Sequence, residues 1–139
     1  MKFHFAIAAM ARGRSMGRRL VGALVFGIGF LVVQPAFAGE LRLIMFEKEG
    51  CVWCARWHAE IGPAWPNSAE AKSAPLTHHD LHDALPEGVT LARPVAFTPV
   101  FVLLDDGVEA GRVEGYPGDN FFWFLIDELI ANAGGEVAG

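Results

Sequence analysis

The sequence has 139 residues, with 16 acidic and 11 basic side chains and a formal net charge of −5. An acidic chain argues against nucleic acids or anionic lipids as main partners, because both attract positively charged surfaces. Two cysteines are too few for the disulfide framework that stabilises many small secreted domains.

The first 38 residues predict a secretory signal peptide that is cleaved from the mature protein. Residues 1–19 contain five Lys or Arg and no acid, and an apolar and glycine run follows from Leu20 to Val33. Ala36-Phe37-Ala38 then supplies the small-x-small pattern of a cleavage site before Gly39. A membrane anchor is the alternative, but this run rises only about 21 Å as a helix, less than the roughly 30 Å hydrocarbon core.

Residues 39–139 are the predicted mature domain, exported from the cytoplasm. They hold all 16 acids and six of the Lys and Arg residues, which gives a formal net charge of −10. About one hundred residues suffice for one domain with one core. A disulfide can persist after export, but one that closes a two-residue gap removes little entropy from the unfolded chain. Stability is therefore not the expected role of the cysteine pair.

The first part of this domain predicts a strand, a helix and a second strand. Leu41–Phe46 is almost continuously apolar, as in a strand buried on both faces. A polar loop ends at Gly50, and a helix is predicted from Cys51 to Gly62-Pro63. Helical spacing places four side chains on one face of it: Cys54, Trp57, His58 and Ile61. Leu76–Leu81 is the second predicted strand.

The second part predicts a β-hairpin and a closing helix. Val100–Leu104 is strongly strand-like, Asp105-Asp106-Gly107 predicts a hairpin turn, and Val108–Glu114 is the return strand. The segment before the hairpin has no clear pattern. Together these elements predict an α/β fold, with a mixed central sheet of about four strands flanked by helices.

The closing helix is predicted from Phe121 to about Ala133, after a cap at Asp119 or Asn120. The predicted buried stripe consists of Phe122, Leu125, Ile126 and Leu129. The neighbouring aromatic residues are Phe121, Trp123 and Phe124. We expect most of these to be buried as well, since the alternative is an apolar patch for a partner.

The motif Cys51-Val52-Trp53-Cys54 points to redox chemistry. Haem attachment is excluded because Ala55, not histidine, follows the second cysteine. Cys51 lies at the predicted first turn of a helix, where backbone N–H groups and the helix dipole stabilise a thiolate. Cys54 lies one turn further on, placed to resolve a mixed disulfide made by Cys51. Cys51 is therefore the predicted nucleophile and Cys54 the resolving residue.

A metal site is the alternative chemistry for this pair. Four histidines are candidates to join the cysteines as copper or zinc ligands of a metallochaperone: His58, His78, His79 and His82. In a strand, however, His78 and His79 point to opposite faces. A structural or surface role is favoured for all four, and no metal and no cofactor is expected.

The two tryptophans near the cysteines have different expected roles. Trp53 stands between the cysteines, where a partner would approach, and we expect it to be exposed. Exposed tryptophans are enriched at binding hot spots, so a role in client binding is favoured. Trp57 is expected in the core.

The whole pattern resembles the thioredoxin fold: a buried strand, Cys-x-x-Cys at a helix start, Thr98-Pro99 before a hairpin, and a closing helix. The resemblance spans essentially all of residues 39–139. It implies that the Thr98–Pro99 bond is cis and faces the cysteines. It also implies that Thr98 offers backbone hydrogen bonds to an extended client segment and that Pro99 shapes the groove, which Gly115 and Tyr116 would border.

A closer resemblance is to the periplasmic thioredoxins encoded with sulfur-oxidation (Sox) enzymes, the SoxS family. The segments that carry it are Gly50–Cys54, Arg56–Glu60, Gly62-Pro63, Ala74-Pro75-Leu76, Phe97-Thr98-Pro99 and Glu114–Gly118. The resemblance implies a periplasmic thiol–disulfide oxidoreductase that reduces protein disulfides or sulfur-modified cysteines, with the sulfur carrier SoxYZ as client. Electrons would come from a membrane donor, since no thiol buffer is guaranteed there. We expect a monomer. A thiol oxidase of the same fold remains open.

The chain departs from ordinary thioredoxins in two places. Val52-Trp53 replaces Gly-Pro between the cysteines, and Met45 stands where thioredoxins place a buried acid. Proton removal from Cys54 must then use another group or water. Glu47 is the candidate nearby in sequence, although a loop glutamate is more often simply solvated.

Overall fold

A computed structural model describes residues 39–137, in which four strands form one mixed sheet in the order β2-β1-β3-β4. The strands are β1 (Leu41–Glu47), β2 (Leu76–Asp80), β3 (Val100–Asp105) and β4 (Val108–Glu114). β1 is parallel to β2 and antiparallel to β3, which pairs antiparallel with β4. The predicted α/β sheet of four strands is confirmed. The predicted signal peptide, residues 1–38, lies outside the described residues.

Within residues 39–137 the structure also has three α-helices and one short 3₁₀ turn. They are α1 (Val52–Glu60), the 3₁₀ turn Trp65–Asn67, α2 (Ala69–Ser73) and α3 (Asp119–Asn132). α1, the 3₁₀ turn and α2 connect β1 to β2, and α3 follows β4. Within residues 39–137, none of the helices has the length and apolar character needed to span a membrane. α1 stops at Ile61 and Gly62, whose N–H groups both donate to the Trp57 carbonyl, so the predicted helix end is confirmed.

The sheet has two buried faces that are covered in different ways. On one face, Leu43, Met45, Phe101 and Leu103 pack against side chains of the helices. On the other face, Ile44, Phe46, Val100, Val102 and Leu104 pack against Val89, Leu91 and Val95 of the segment between β2 and β3. Burial on both faces confirms the interpretation of the continuous apolar run in β1.

The helices thus lie on one face of the sheet, and an irregular segment covers the other. This segment contains Pro86, Gly88 and Pro94, which disfavour a regular helix. It remains close to the sheet because Thr90 forms a parallel bridge with Val108 on β4.

α3 differs from its prediction at the cap and on its outer face. Gly118 is the N-cap and has no side chain to offer, whereas Asp119 is already helical and accepts a hydrogen bond from Trp123 Nε1 at 2.9 Å. The helix buries Phe122, Ile126 and Ile130, whereas Leu125 and Leu129 are only partly buried.

The expected burial of the aromatic residues on α3 is wrong for two of the three. Phe121 and Phe124 are 67% and 61% exposed, because only one side of the helix packs on the sheet and these residues lie on its outer side. Trp123 is partly buried and stacks on Trp65, with ring centroids 5.7 Å apart.

Candidate active site at the cysteine pair

The cysteine pair lies where the loop after β1 enters α1. Gly50 has a φ of 75°, a left-handed conformation that glycine adopts without a steric cost, and it turns the chain into the helix. Cys51 is the N-cap of α1, and its sulfur accepts a hydrogen bond from the Cys54 N–H at 3.1 Å. The prediction that Cys51 stands at a helix start, beside free backbone donors, is confirmed.

The two sulfurs form a disulfide, and their residues differ in exposure. Cys51 is partly exposed, whereas Cys54 is buried in the core cluster. In the reduced protein, the Cys54 N–H and the positive end of the helix dipole would stabilise a thiolate on Cys51. The accessible sulfur is thus the one that the backbone is arranged to activate.

A shallow cavity of about 370 Å³ brings together all five residues predicted to form a client groove. Its walls include Trp53, Thr98, Pro99, Gly115 and Tyr116. The Thr98–Pro99 bond is cis, as the thioredoxin resemblance implied. The Gly115 N–H donates to the Pro99 carbonyl at 2.9 Å and so joins the start of β3 to the loop after β4.

Three further residues line this cavity: Phe97, Glu114 and Pro117. They lie in segments that carry the SoxS resemblance, but the sequence analysis did not assign them to the groove. Phe97 and Trp53 are both about half exposed, so two aromatic surfaces face solvent here. For Phe97 the sequence offered a weak indication, since this residue directly precedes Thr98-Pro99. The exposure expected for Trp53 and the burial expected for Trp57 are both confirmed.

Tyr116 connects this cavity to the end of α1. Its hydroxyl donates to Glu60 Oε2 at 2.6 Å, and Arg56 Nε donates to the other oxygen of the same carboxylate at 2.8 Å. These hydrogen bonds, the one from Tyr116 above all, lower the pKa of Glu60. Burial, together with the adjacent carboxylate, raises the pKa of Tyr116, so the phenol stays neutral and keeps its proton as a donor.

Glu47 borders a second cavity, of about 380 Å³, which it shares with Cys51, Cys54 and His58. Its carboxylate oxygens lie 2.6 Å from His58 Nε2 and 3.0 Å from His78 Nδ1, both hydrogen-bonding distances. Met45, where thioredoxins place an acid, is fully buried. Glu47 is therefore the acidic side chain lining this cavity, and two imidazoles hold it.

The histidines divide as the strand geometry predicted. His78 lies against Trp57 on the helix-covered face of the sheet, and His79 lies edge-on to Phe46 on the opposite face. The cluster of Glu47, His58 and His78 was missed by sequence reasoning. It depends on the parallel register that pairs Met45 with His78, and no local pattern gives that register.

A comparison with solved structures finds the reduced form of the periplasmic thioredoxin SoxS from Paracoccus pantotrophus. The two sequences are 54% identical, the match covers 68% of this chain and 99% of that chain, and the TM-score is 0.66. The chain belongs to the SoxS family of periplasmic thioredoxins. No protein-family model and no curated protein matches it.

Membership of the SoxS family confirms the thioredoxin-like fold and the resemblance found in the sequence. The protein is a thiol–disulfide oxidoreductase, and its redox-active centre is the Cys51–Cys54 pair.

Proposed function

We propose that this protein is a periplasmic reductase, with the sulfur carrier SoxYZ as its client. It would act on disulfides or sulfur-modified cysteines of that client and draw its electrons from a membrane dithiol donor. The relationship to SoxS supports the compartment and the class of client. The strongly acidic domain also fits a protein client better than a nucleic acid or an anionic membrane surface.

The proposed cycle has two exchange steps. The Cys51 thiolate attacks the sulfur of a client cysteine and forms a mixed disulfide; the other sulfur leaves as a thiolate from a disulfide, or as the anion of the attached sulfur group from a modified cysteine. The Cys54 thiolate then attacks Cys51 Sγ, which releases the client cysteine and leaves the Cys51–Cys54 disulfide. A donor dithiol reduces this disulfide and becomes oxidised itself, which returns two electrons to the protein.

The difference in exposure between the two cysteines is the main support for these roles. A client sulfur can approach Cys51, which is partly exposed, whereas Cys54 is buried and bonded to Cys51. The hydrogen bond from the Cys54 N–H to Cys51 Sγ supports the same assignment of roles, because it stabilises a thiolate on the more exposed sulfur.

The cavity beside Trp53 is the proposed client groove. Thr98 would offer its backbone to an extended client segment, and Pro99, Gly115 and Tyr116 would shape the floor of the groove. The half-exposed rings of Trp53 and Phe97 would contribute apolar contact area at its rim.

Glu47 is the proposed proton acceptor for Cys54 when the mixed disulfide is resolved. Its carboxylate and both cysteines line one cavity, so a proton could pass between them through water. His58 and His78 would hold the carboxylate in place during this transfer.

The client assignment can be tested by trapping the mixed disulfide. Cys54→Ser cannot resolve the intermediate and should accumulate a Cys51-linked adduct in the periplasm, with SoxYZ as the adduct identified by mass spectrometry. Cys51→Ser is the matched control and should trap nothing. Adducts to other proteins with none to SoxYZ would remove SoxYZ as the client.

Resolution of a preformed Cys51 mixed disulfide tests the role of Glu47, with a chelator present throughout. Glu47→Gln should slow resolution at least about tenfold, which is below the roughly 10²–10⁴-fold usual for acid–base groups because water can substitute. Glu49→Gln, a change of the same kind in the same loop, should not slow it. Equal rates for the parent and Glu47→Gln would assign the proton transfer to water alone.

The direction of electron flow can be read from the reduction potential of the cysteine pair. A value near or below about −230 mV is expected for a reductase, and a value near −120 mV would instead identify a thiol oxidase. Equilibration in defined dithiol/disulfide buffers measures this reduction potential. Cys51→Ser and Cys54→Ser, which cannot form the disulfide, are the controls.

A further inference from the structure

We propose that Glu47, His58 and His78 form a binding site for a divalent transition-metal cation, with zinc as its best fit. The ligand-capable atoms of these three residues all lie within 4.8 Å of one another. The site shares Glu47 with the proposed proton transfer, but it needs neither cysteine as a ligand.

The three side chains come from separate elements that converge on one point. Glu47 ends β1, His78 lies on β2, and His58 lies on α1. In the parallel register Met45 pairs with His78, so Glu47, two residues after Met45, shares the face of the sheet on which His78 lies. α1 packs on that same face and brings His58 to the carboxylate.

The buried side of the two imidazoles packs against Trp57. Its buried ring lies edge-on to His58 at 5.2 Å and to His78 at 6.0 Å between centroids. The two imidazole rings stack on each other at 5.1 Å with 26° between their planes. A site whose ligands are already oriented loses less conformational entropy when it binds a cation.

Two imidazoles and one carboxylate are a donor set that zinc uses in proteins, at about 2.0–2.2 Å from each ligand atom. Binding would replace the His58–Glu47 hydrogen bond of 2.6 Å and the 3.0 Å contact between His78 Nδ1 and Glu47 with bonds to one shared cation. Both histidine side chains are 44% exposed, which leaves an open side for a water as fourth ligand.

The charge around the cluster favours a cation. Glu49 and Asp80 line the cavity next to Glu47 and His78, and Lys48 is the single basic residue there. The net charge of −10 on residues 39–139 adds a long-range attraction for cations.

Titration of zinc into the exported protein in its disulfide form tests this proposal by calorimetry. The disulfide removes both thiolates as ligands, so any site detected must lie elsewhere. We expect one equivalent of zinc to bind. Separate His78→Ala, His58→Ala and Glu47→Gln variants should each weaken binding at least about tenfold.

His82→Ala is the matched control, because His82 is an exposed histidine outside the cluster. It should bind zinc as the parent does. Zinc should also raise the melting temperature of the parent and of His82→Ala but not that of His78→Ala, since a ligand stabilises only the folded state that binds it.

If a variant does not fold, an NMR measurement on the parent protein still tests the proposal. Zinc should shift the imidazole NMR signals of His58 and His78 and leave those of His82 unchanged. Binding that requires reduction of the disulfide would assign zinc to the cysteines and overturn the proposal. Absence of stoichiometric binding to the disulfide form would overturn it as well. Neither result depends on the client or on the direction of electron flow.

Discussion

At the scale of single residues, Tyr116 shows how one hydrogen bond connects the groove to the helix that carries the cysteines. The ring packs in the core at 5.8 Å from Phe122, while its hydroxyl reaches Glu60 at the end of α1. The phenol remains protonated because its pKa is raised, so it donates at any physiological pH. This hydrogen bond therefore joins the Tyr116 loop to the end of α1.

Tyr116→Phe should raise the pKa of the Glu60 carboxyl toward its ordinary value, because the lost hydroxyl is the main cause of the lowered pKa. An NMR titration of the Glu60 side-chain carbon measures this. Arg56→Ala, which removes the other donor to the same carboxylate, should raise the pKa less. A larger rise in Arg56→Ala would show that the guanidinium, not the phenol, holds the carboxylate.

At the scale of elements, β4 positions the irregular segment that leads to Thr98-Pro99. Arg112 on β4 donates to Glu109 at 2.6 and 2.7 Å and to the Arg93 carbonyl at 2.8 Å. Glu109 in turn accepts from the Ala92 N–H at 2.7 Å. The hydrogen bonds from Arg112, the largest cause, lower the pKa of Glu109. The irregular segment is thus held to the sheet by the Arg112–Glu109 ion pair and its hydrogen bonds to the Ala92 and Arg93 backbone.

Arg112→Met should lower the free energy of unfolding by about 3 kcal/mol, because it leaves the Glu109 carboxylate nearly buried without its partner. The side chains of this pair are only 6% and 5% exposed. Arg93→Met is the matched control, since its pair with Glu114 is 59% and 34% exposed and should cost less than about 1 kcal/mol. Urea denaturation measures both, and equal losses would contradict the role given to burial.

The same pair predicts a pH dependence of stability. The lowered pKa of Glu109 means that its contribution is complete above the ordinary carboxyl pKa and is lost as the pH falls through the lowered value. Arg112→Met should therefore lose less stability than the parent between neutral and acidic pH. If the pair made no such contribution, unfolding curves at a series of pH values would show the same fall in the free energy of unfolding for Arg112→Met and the parent.

At the scale of the whole molecule, the described chain begins with a pair of hydrogen bonds to the β3–β4 turn. Glu40 N–H donates to Asp106 Oδ1 at 2.9 Å, and the Asp106 N–H donates to the Glu40 carbonyl at 3.2 Å. A side chain at Gly39 would overlap the carboxylates of Asp105 and Asp106.

From the Ala36-Phe37-Ala38 pattern, we propose that the mature protein begins at Gly39. Intact mass and N-terminal sequencing would show this directly. Ala38→Leu, which places a large residue at the cleavage site, should leave the precursor uncut, whereas Ala23→Leu in the apolar run should be processed normally. A mature chain that begins elsewhere would move the domain boundary.

The sequence alone determined the features that depend on neighbouring residues. The Cys51–Cys54 motif at a helix start, the Asp106-Gly107 turn and the apolar β1 are encoded within a few positions. The turn residues have φ values of 49° and 86°, which a two-residue hairpin of this kind requires and which Asp and Gly tolerate. The thioredoxin resemblance also predicted the cis Thr98–Pro99 bond, which the structure confirms and which rests on an equally local motif.

Only the tertiary structure decided which distant residues meet and which helix faces are covered. Phe121 and Phe124 are exposed because α3 packs on the sheet through its Phe122 side, and hydrophobicity alone does not choose that side. Glu47, His58 and His78 meet because two strands pair in one parallel register and α1 packs over them. Local patterns specify elements, whereas register and packing are set by contacts between residues far apart in the chain.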